Sequence, residues 1–219
     1  MKLVQLIAAT AALTLSAPTL AATIIGGNTA VRVTADVAGL GLTLGTFGSA
    51  TINTTIPGVP RVFFPITGGT LDPSTLAGSI QHTGSGVTFT AGSNSLLARD
   101  FVIDTIGQQL LGNVFLNGAS VASNAPIFTF NLSGLSAAQI TDLSNPAIAL
   151  LISSTAASVF TSVFGAPDLT GVQFGLAATA PALAAAPPIP EPTSWAMLVS
   201  GFAVVGTLLR RRRRVMAIA

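Results

Sequence analysis

Few side chains in this chain could do chemistry. There is one histidine, His82, in the run Gln81-His82-Thr83-Gly84-Ser85-Gly86. Six aspartates precede the single glutamate, Glu191, and cysteine and tyrosine are absent. Without cysteine there is no thiol nucleophile, no thiolate metal site and no iron–sulfur cluster. A serine-protease-type set would draw on Ser85 or Ser93, His82 and one aspartate, but no G-x-S-x-G elbow presents a serine. Zinc wants three or four ligands, which one histidine and scattered aspartates supply poorly. Asp100 and Asp104, four apart on a strand, share a face and with Asp72 form the candidate calcium ligands, although no D-x-D-x-D-G spacing occurs. Paired carboxylates of glycosidase type are missing, because no glutamate precedes Glu191 and no aromatic sugar cradle flanks Asp100 and Asp104. The expectation is a non-enzymatic protein with no cofactor.

These residues need a scaffold, and the pattern describes a mainly β one. The middle of the chain is rich in Thr, Gly, Val, Ile and Phe, which favours strands over surface helices. Strands are expected over 29–44, 46–56, 61–67, 76–81, 87–91, 97–106, 110–116, 127–132 and 169–177. Pro57-Gly58, Gly68-Gly69, Gly84-Ser85-Gly86, Gly92-Ser93-Asn94 and Asn117-Gly118 punctuate them. Asn117-Gly118 is a hairpin signal. Short strands at this spacing predict an antiparallel β-sandwich or roll. A short helical turn is expected over 136–143. One packed helix is expected over 146–164, where Asn145-Pro146 resembles an N-cap with Pro at N1 and Gly165-Ala166-Pro167 ends the run. Residues 179–192 read as an Ala/Pro linker.

The two ends carry transport information. Lys2, the apolar stretch Leu3 to Leu15 and the small residues around Thr19-Leu20-Ala21 form a secretory signal peptide over 1–21, cut after Ala21. At the other end, Pro190-Glu191-Pro192 precedes an apolar run, 193–209, with Trp195 at its outer edge and Arg210, Arg211, Arg212, Arg213 and Arg214 behind it. As a helix that run is near the short limit for crossing a bilayer, and the arginines hold its end in the cytoplasm. The expected order is signal peptide 1–21, exported β domain 22–178, linker 179–192, transmembrane helix 193–209 and basic tail 210–219.

The segment from about Pro187 to Val215 resembles the PEP-CTERM sorting signal of Gram-negative bacteria. Pro190, Glu191 and Pro192 stand as its recognition element, followed by a span with Trp and small residues and an arginine cluster. The resemblance implies handling by an exosortase-type membrane enzyme that removes the span. Tails of this kind occur on many cargoes, ice-binding proteins among them, and one tail assigns no cargo function. Thr54-Thr55 and Thr88-Phe89-Thr90 do not repeat as an ice-binding array would. A second, distant resemblance joins Leu76 to His82, Gly86 to Phe89 and Leu97 to Asp104 to the strand–His–Gly–strand pattern of some bacterial haem-uptake domains. It makes His82 a candidate haem ligand, with no tyrosine to serve beside it.

Charge sharpens the class of partner. Between the leader and the basic tail lie Arg32, Arg61 and Arg99 against six aspartates and Glu191; three against seven leaves about −4. That argues against nucleic acid, which needs basic patches. Only 7% of the chain is charged, against about 25% in ordinary soluble proteins. Threonine, serine and asparagine must solvate the surface, as suits a surface or matrix component. The expected partners are the secretion translocon, the membrane, the exosortase-type enzyme and a surface polymer or matrix. The expected location is the inner membrane with the β domain outside the cytoplasm, then the cell surface or medium. The expected role is that of an exosortase-sorted structural cargo; the alternative is a periplasmic or surface ligand-binding module for calcium or haem.

Overall fold

The computed structural model describes residues 21–55 and 59–185, together with residues 197, 201, 202 and 205. The chain divides into two compact units, Met1–Ala184 and Ala185–Ala219. Residues 1–20 of the expected signal peptide, the sorting tripeptide, the arginine block and nearly all of the expected span lie outside the described residues; of that span Met197, Gly201, Phe202 and Val205 are described, all helical. Among the described residues no helix is long and apolar enough to cross a membrane.

The first unit is mainly antiparallel β-sheet with two short helices. The strands are β1 (Ala22–Val33), β2 (Thr43–Gly48), β3 (Thr51–Asn53), β4 (Arg61–Pro65), β5 (Gly68–Leu71), β6 (Gly78–Ala91), β7 (Asn94–Asp104), β8 (Gln109–Leu116), β9 (Ala119–Thr129), β10 (Ile148–Ile152) and β11 (Gln173–Leu183). The helices are α1 (Ala137–Thr141) and α2 (Ser154–Phe164). Consecutive hairpins carry the sheet from β5 through β9, then β10 and β11 follow, and β11 pairs with β1 from Ile24↔Leu183 to Val33↔Gly175. Because β1 also pairs with β5 through Ala22↔Leu71 and Thr23↔Thr70, the sheet closes on itself. A sandwich or roll was the expectation, and the antiparallel strands form one sheet that closes on itself. Closure removes most of the exposed edge that an open sheet would present.

The ring is regular at one end and incomplete at the other. Where β1 begins, β5 bridges β1 and β6 directly. Toward the other end β1 pairs with β4, β4 with β3, and β6 with β2, while the tight connection from Gly48 to Thr51 spans the gap. Gly48 has φ 63°, and a Cβ there would fall on the Gly84 carbonyl, so the connection needs glycine. On the far side β9 and β10 share only Leu151↔Thr129 and Ile152↔Phe128, and α2 packs beside them.

Local chemistry explains where the elements differ from expectation. The alternation of Leu40, Leu42 and Leu44 suggested one strand over 29–44, but β1 stops at Val33. Asp36 accepts the Gly39 N–H at 2.8 Å and Gly41 takes φ 71°, which folds 34–42 into a compact turn. The expected helix over 146–164 is half strand. Ile148 to Ile152 alternates buried and half-buried residues as β10, an apolar run too short for periodicity to classify. The true N-cap is Ser153, whose hydroxyl accepts the Ala156 N–H, and Gly165 closes the helix in a left-handed conformation. The helical turn expected over 136–143 is α1, with a capping box between Ser136 and Gln139. Asn117 and Gly118, with φ 50° and 87°, form the two-residue hairpin between β8 and β9. Gly84-Ser85-Gly86, expected as a break, is a bulge inside the fourteen-residue β6. β11 runs on to Leu183, so the first five residues of the expected linker belong to the sheet.

Candidate functional site

His82 sits on the inner face of β6 and is 1% exposed. Its Nε2 lies 2.8 Å from Thr29 Oγ1, and Thr29 donates its hydroxyl to Thr179 Oγ1 at 2.9 Å. Thr29 and Thr179 are register partners on β1 and β11, so this polar chain crosses the seam at which the sheet closes. Nε2 thus has the Thr29 hydroxyl as its partner, and Nδ1 has none within hydrogen-bond geometry. Burial pushes the pKa of His82 down to about 4, and the Phe101 backbone opposes this only in part. The ring is neutral at ordinary pH.

The side chains that could have joined His82 in catalysis do other things. Ser85, fully buried, donates to the His82 backbone carbonyl at 3.0 Å rather than to the ring. The void beside the ring is about 30 Å³ and is walled by Val31, Val62, Phe64, Phe101 and Phe174. A haem at Nε2 would require the Thr29 bond to break and the interior to widen around it.

The aspartates are spent on turns. Asp36 accepts from Gly39; Asp72 from Ser74 and Thr75; Asp100 from Gly84; Asp104 from Ile106 and Gly107; Asp142 from Ser144 and Asn145; Asp168 from Thr170. The Ser74 hydroxyl holds the Asp72 carboxyl below its ordinary range, and the Thr170 hydroxyl does the same for Asp168. Asp100 and Asp104 both avoid the core on β7, but Asp100 sits in a register irregularity and accepts from Gly84 of β6, while Asp104 caps its own turn. Asp100 also lies 3.5 Å from Arg99 Nε. Among the described residues no three His, Asp or Glu side chains are grouped to hold a metal ion.

A larger cavity lies elsewhere, at the incomplete end of the closed sheet. It has a volume of about 250 Å³. β6 contributes Val87 and Phe89, β7 Leu96, Ala98 and Phe101, β8 Val114, β9 Ala125, Ile127 and Phe128, and β11 Phe174. Ala156, Val159 and Phe160 of α2 close the gap between β9 and β10, and the 34–42 turn supplies Val37, Leu40 and Leu42. Only Asp36 and Thr155 bring polar side chains to the lining, and Asp36 is already engaged with Gly39. Leu40 and Val172, both in the lining, are also partly open to solvent and mark the mouth. The phenylalanines hold one another in place: Phe89 meets Phe160 edge-on at 5.1 Å, and Phe128 stacks on Phe174 at 5.0 Å.

Such a chamber can hold an apolar molecule by exclusion of water and can offer almost no hydrogen bond. An apolar cavity of about 150 Å³ stays dry and takes up benzene, and drug-sized sites begin near 300 Å³. The sequence gives no periodic sign of it, because its walls come from six strands, a helix and a turn. The one visible hint is the cluster of Phe160 and Val159 on a helix that follows directly on a strand.

The chain matches no protein-family model and no curated protein sequence. Among solved structures it is similar to the C-terminal domain of HtaA from Corynebacterium glutamicum, with 13% identity and a TM-score of 0.46 over 72% of this chain and 98% of that domain. That likeness is too loose to carry an argument about ligand or activity.

Proposed function

We infer that the protein is an exported, non-enzymatic binding module that holds a small, neutral, apolar molecule inside its closed sheet. Its C-terminal signal delivers it to the cell envelope. The carrying observation is the chamber: about 250 Å³, lined by phenylalanine and aliphatic side chains, with no cation to pair a fatty-acid carboxylate. The surrounding chemistry supports a carrier rather than a catalyst. His82 is neutral, buried and bonded to Thr29, and Ser85 turns its hydroxyl away from the ring. Calcium is disfavoured because every described aspartate already accepts a backbone N–H, five from their own turns and Asp100 from Gly84 of β6. The delivery half rests on Pro190-Glu191-Pro192, the apolar run behind it and Arg210 to Arg214, which resemble an exosortase sorting signal. A chamber in a surface-delivered domain fits capture of an apolar compound outside the inner membrane.

The test uses residues 22–185, a compact unit with its own closed sheet and core. That fragment has no tryptophan or tyrosine, so a fluorescent ligand is read without background. The neutral probe N-phenyl-1-naphthylamine should bind with one-to-one saturation and a blue shift, and Ala156→Phe should abolish both. No enhancement, or enhancement unchanged by Ala156→Phe, would overturn the reading. A haemin Soret shift that His82→Ala removes would replace it with haem binding. Intact mass from the host with and without its exosortase tests delivery; an unprocessed C-terminus in both would sink that half.

A further inference from the structure

Arg32 and Arg61 form a second site, on the outer face of the sheet. They are directly opposite each other in the β1–β4 ladder. The Val33 N–H bonds the Pro60 carbonyl one register position away, which makes Arg32–Arg61 a non-hydrogen-bonded pair. At such positions opposed side chains stand closest, and like charges there are destabilising. Neither guanidinium has an ion pair or a side-chain hydrogen bond among the described residues, and the Nε of each is buried without a partner. Arg99 Nε is likewise buried without a hydrogen bond, but Arg99 has Asp100 at 3.5 Å and lies over the rings of Phe47 and Phe115, neighbours that Arg32 and Arg61 lack. The domain has only three arginines and no lysine between residues 22 and 185. Two of the three are thus spent on a juxtaposition that costs energy when empty.

The row continues to β3, where Asn53 is the register partner of Arg61. The Asn53 side-chain oxygen accepts from the Thr55 N–H and hydroxyl, which leaves its NH₂ group free to donate. Three donor groups therefore stand at one level across three strands, and among the described residues no carboxylate forms an ion pair with them.

We propose that Arg32 and Arg61, flanked by Asn53, bind one oxyanion group, a carboxylate or a phosphate, shared between the two guanidiniums. Two planar guanidiniums side by side match the oxygens of such a group in bidentate fashion. The net negative domain gives no long-range attraction, so recognition depends on this pair and selects a discrete anionic group rather than a polyanion at large. The site is separate from the apolar chamber and does not rest on it.

The experiment is thermal unfolding and calorimetry on residues 22–185 at fixed ionic strength. Sodium phosphate and a short oligogalacturonate serve as probes, with sodium chloride as the reference. The expected result is saturable binding and a raised melting temperature with at least one probe. Arg32→Gln and Arg61→Gln should each weaken it roughly tenfold or more. In chloride alone, Arg61→Gln should melt at a higher temperature than the parent, because the like-charge contact is gone. Phosphate without oligogalacturonate would identify a phosphate ligand, and the reverse a carboxylate one. No saturable effect beyond chloride with either probe, or equal effects in parent and variants, would overturn the proposal.

Discussion

The two ends of the closed sheet differ in how completely the backbone is paired, and the interior follows the difference. Where β5 bridges β1 and β6, the interior is filled by Ile80, Leu71, Ile103 and Leu110, with Ile140 of α1 beside them, and the remaining void is about 70 Å³. Where β9 and β10 share two register pairs and α2 stands beside them, the void is about 250 Å³. A continuous ladder brings inward side chains to fixed, close spacings, and they interlock. A helix laid beside a gap stands farther out and leaves room. The cavity is thus a product of backbone pairing more than of small side chains, since large phenylalanines surround it. Between the two ends lies the buried His82–Thr29–Thr179 chain.

That contrast can be broken at the filled end first. Ile80→Ala should cost about 2–5 kcal/mol, because packed surroundings cannot collapse into the space; Ile80 is 1% exposed. Urea unfolding of the 22–185 fragment checks it. The next effect belongs to the middle. His82 has a folded pKa near 4 against an ordinary 6.5. Between those values the unfolded chain takes up a proton that the folded one refuses, so stability falls as pH drops from about 6.5 to about 4. The loss should total roughly 3 kcal/mol, and His82→Leu should flatten the slope in that window. A pH-independent parent over that range would show that the ring is not held neutral. Third, Thr29→Val strips the ring Nε2 of its partner and should cost about 1–3 kcal/mol. The smallest effect separates the two ends. Ala156→Leu pushes side chain into the chamber and should raise stability by about 0.5–1 kcal/mol while weakening probe binding. A clear loss of stability instead would mean that the chamber wall is as tightly packed as the other end.

The sequence made the strand-rich middle legible, along with the Asn117-Gly118 hairpin, the α1 turn and the Gly165 stop. Each of these depends on neighbours a few residues apart. It misjudged 29–44 and 146–152, because Leu40–Leu42–Leu44 and Ile148–Ile152 have the same local pattern in a turn, a strand or a helix. Closure of the sheet, the chamber and the Arg32–Arg61 pairing depend on partners tens of residues distant. Register decides those, and composition carries no trace of it. His82 was visible as the one titratable ring, but its bond to Thr29, fifty-three residues before it, and through Thr29 to Thr179 on the last strand, was not.

The seam between β1 and β11 has a mechanical consequence. The strands are antiparallel neighbours, and the Ala184 N–H bonds the Thr23 carbonyl at 2.8 Å, so both enter and leave at the same end of the sheet. A load applied between residues 22 and 184 therefore meets the hydrogen bonds one after another, as a zipper does, rather than all together in shear. Pulled that way, the domain yields first at its seam, and the buried Thr29–Thr179 bond breaks midway, before the pairs from Ala30↔Ala178 to Val33↔Gly175.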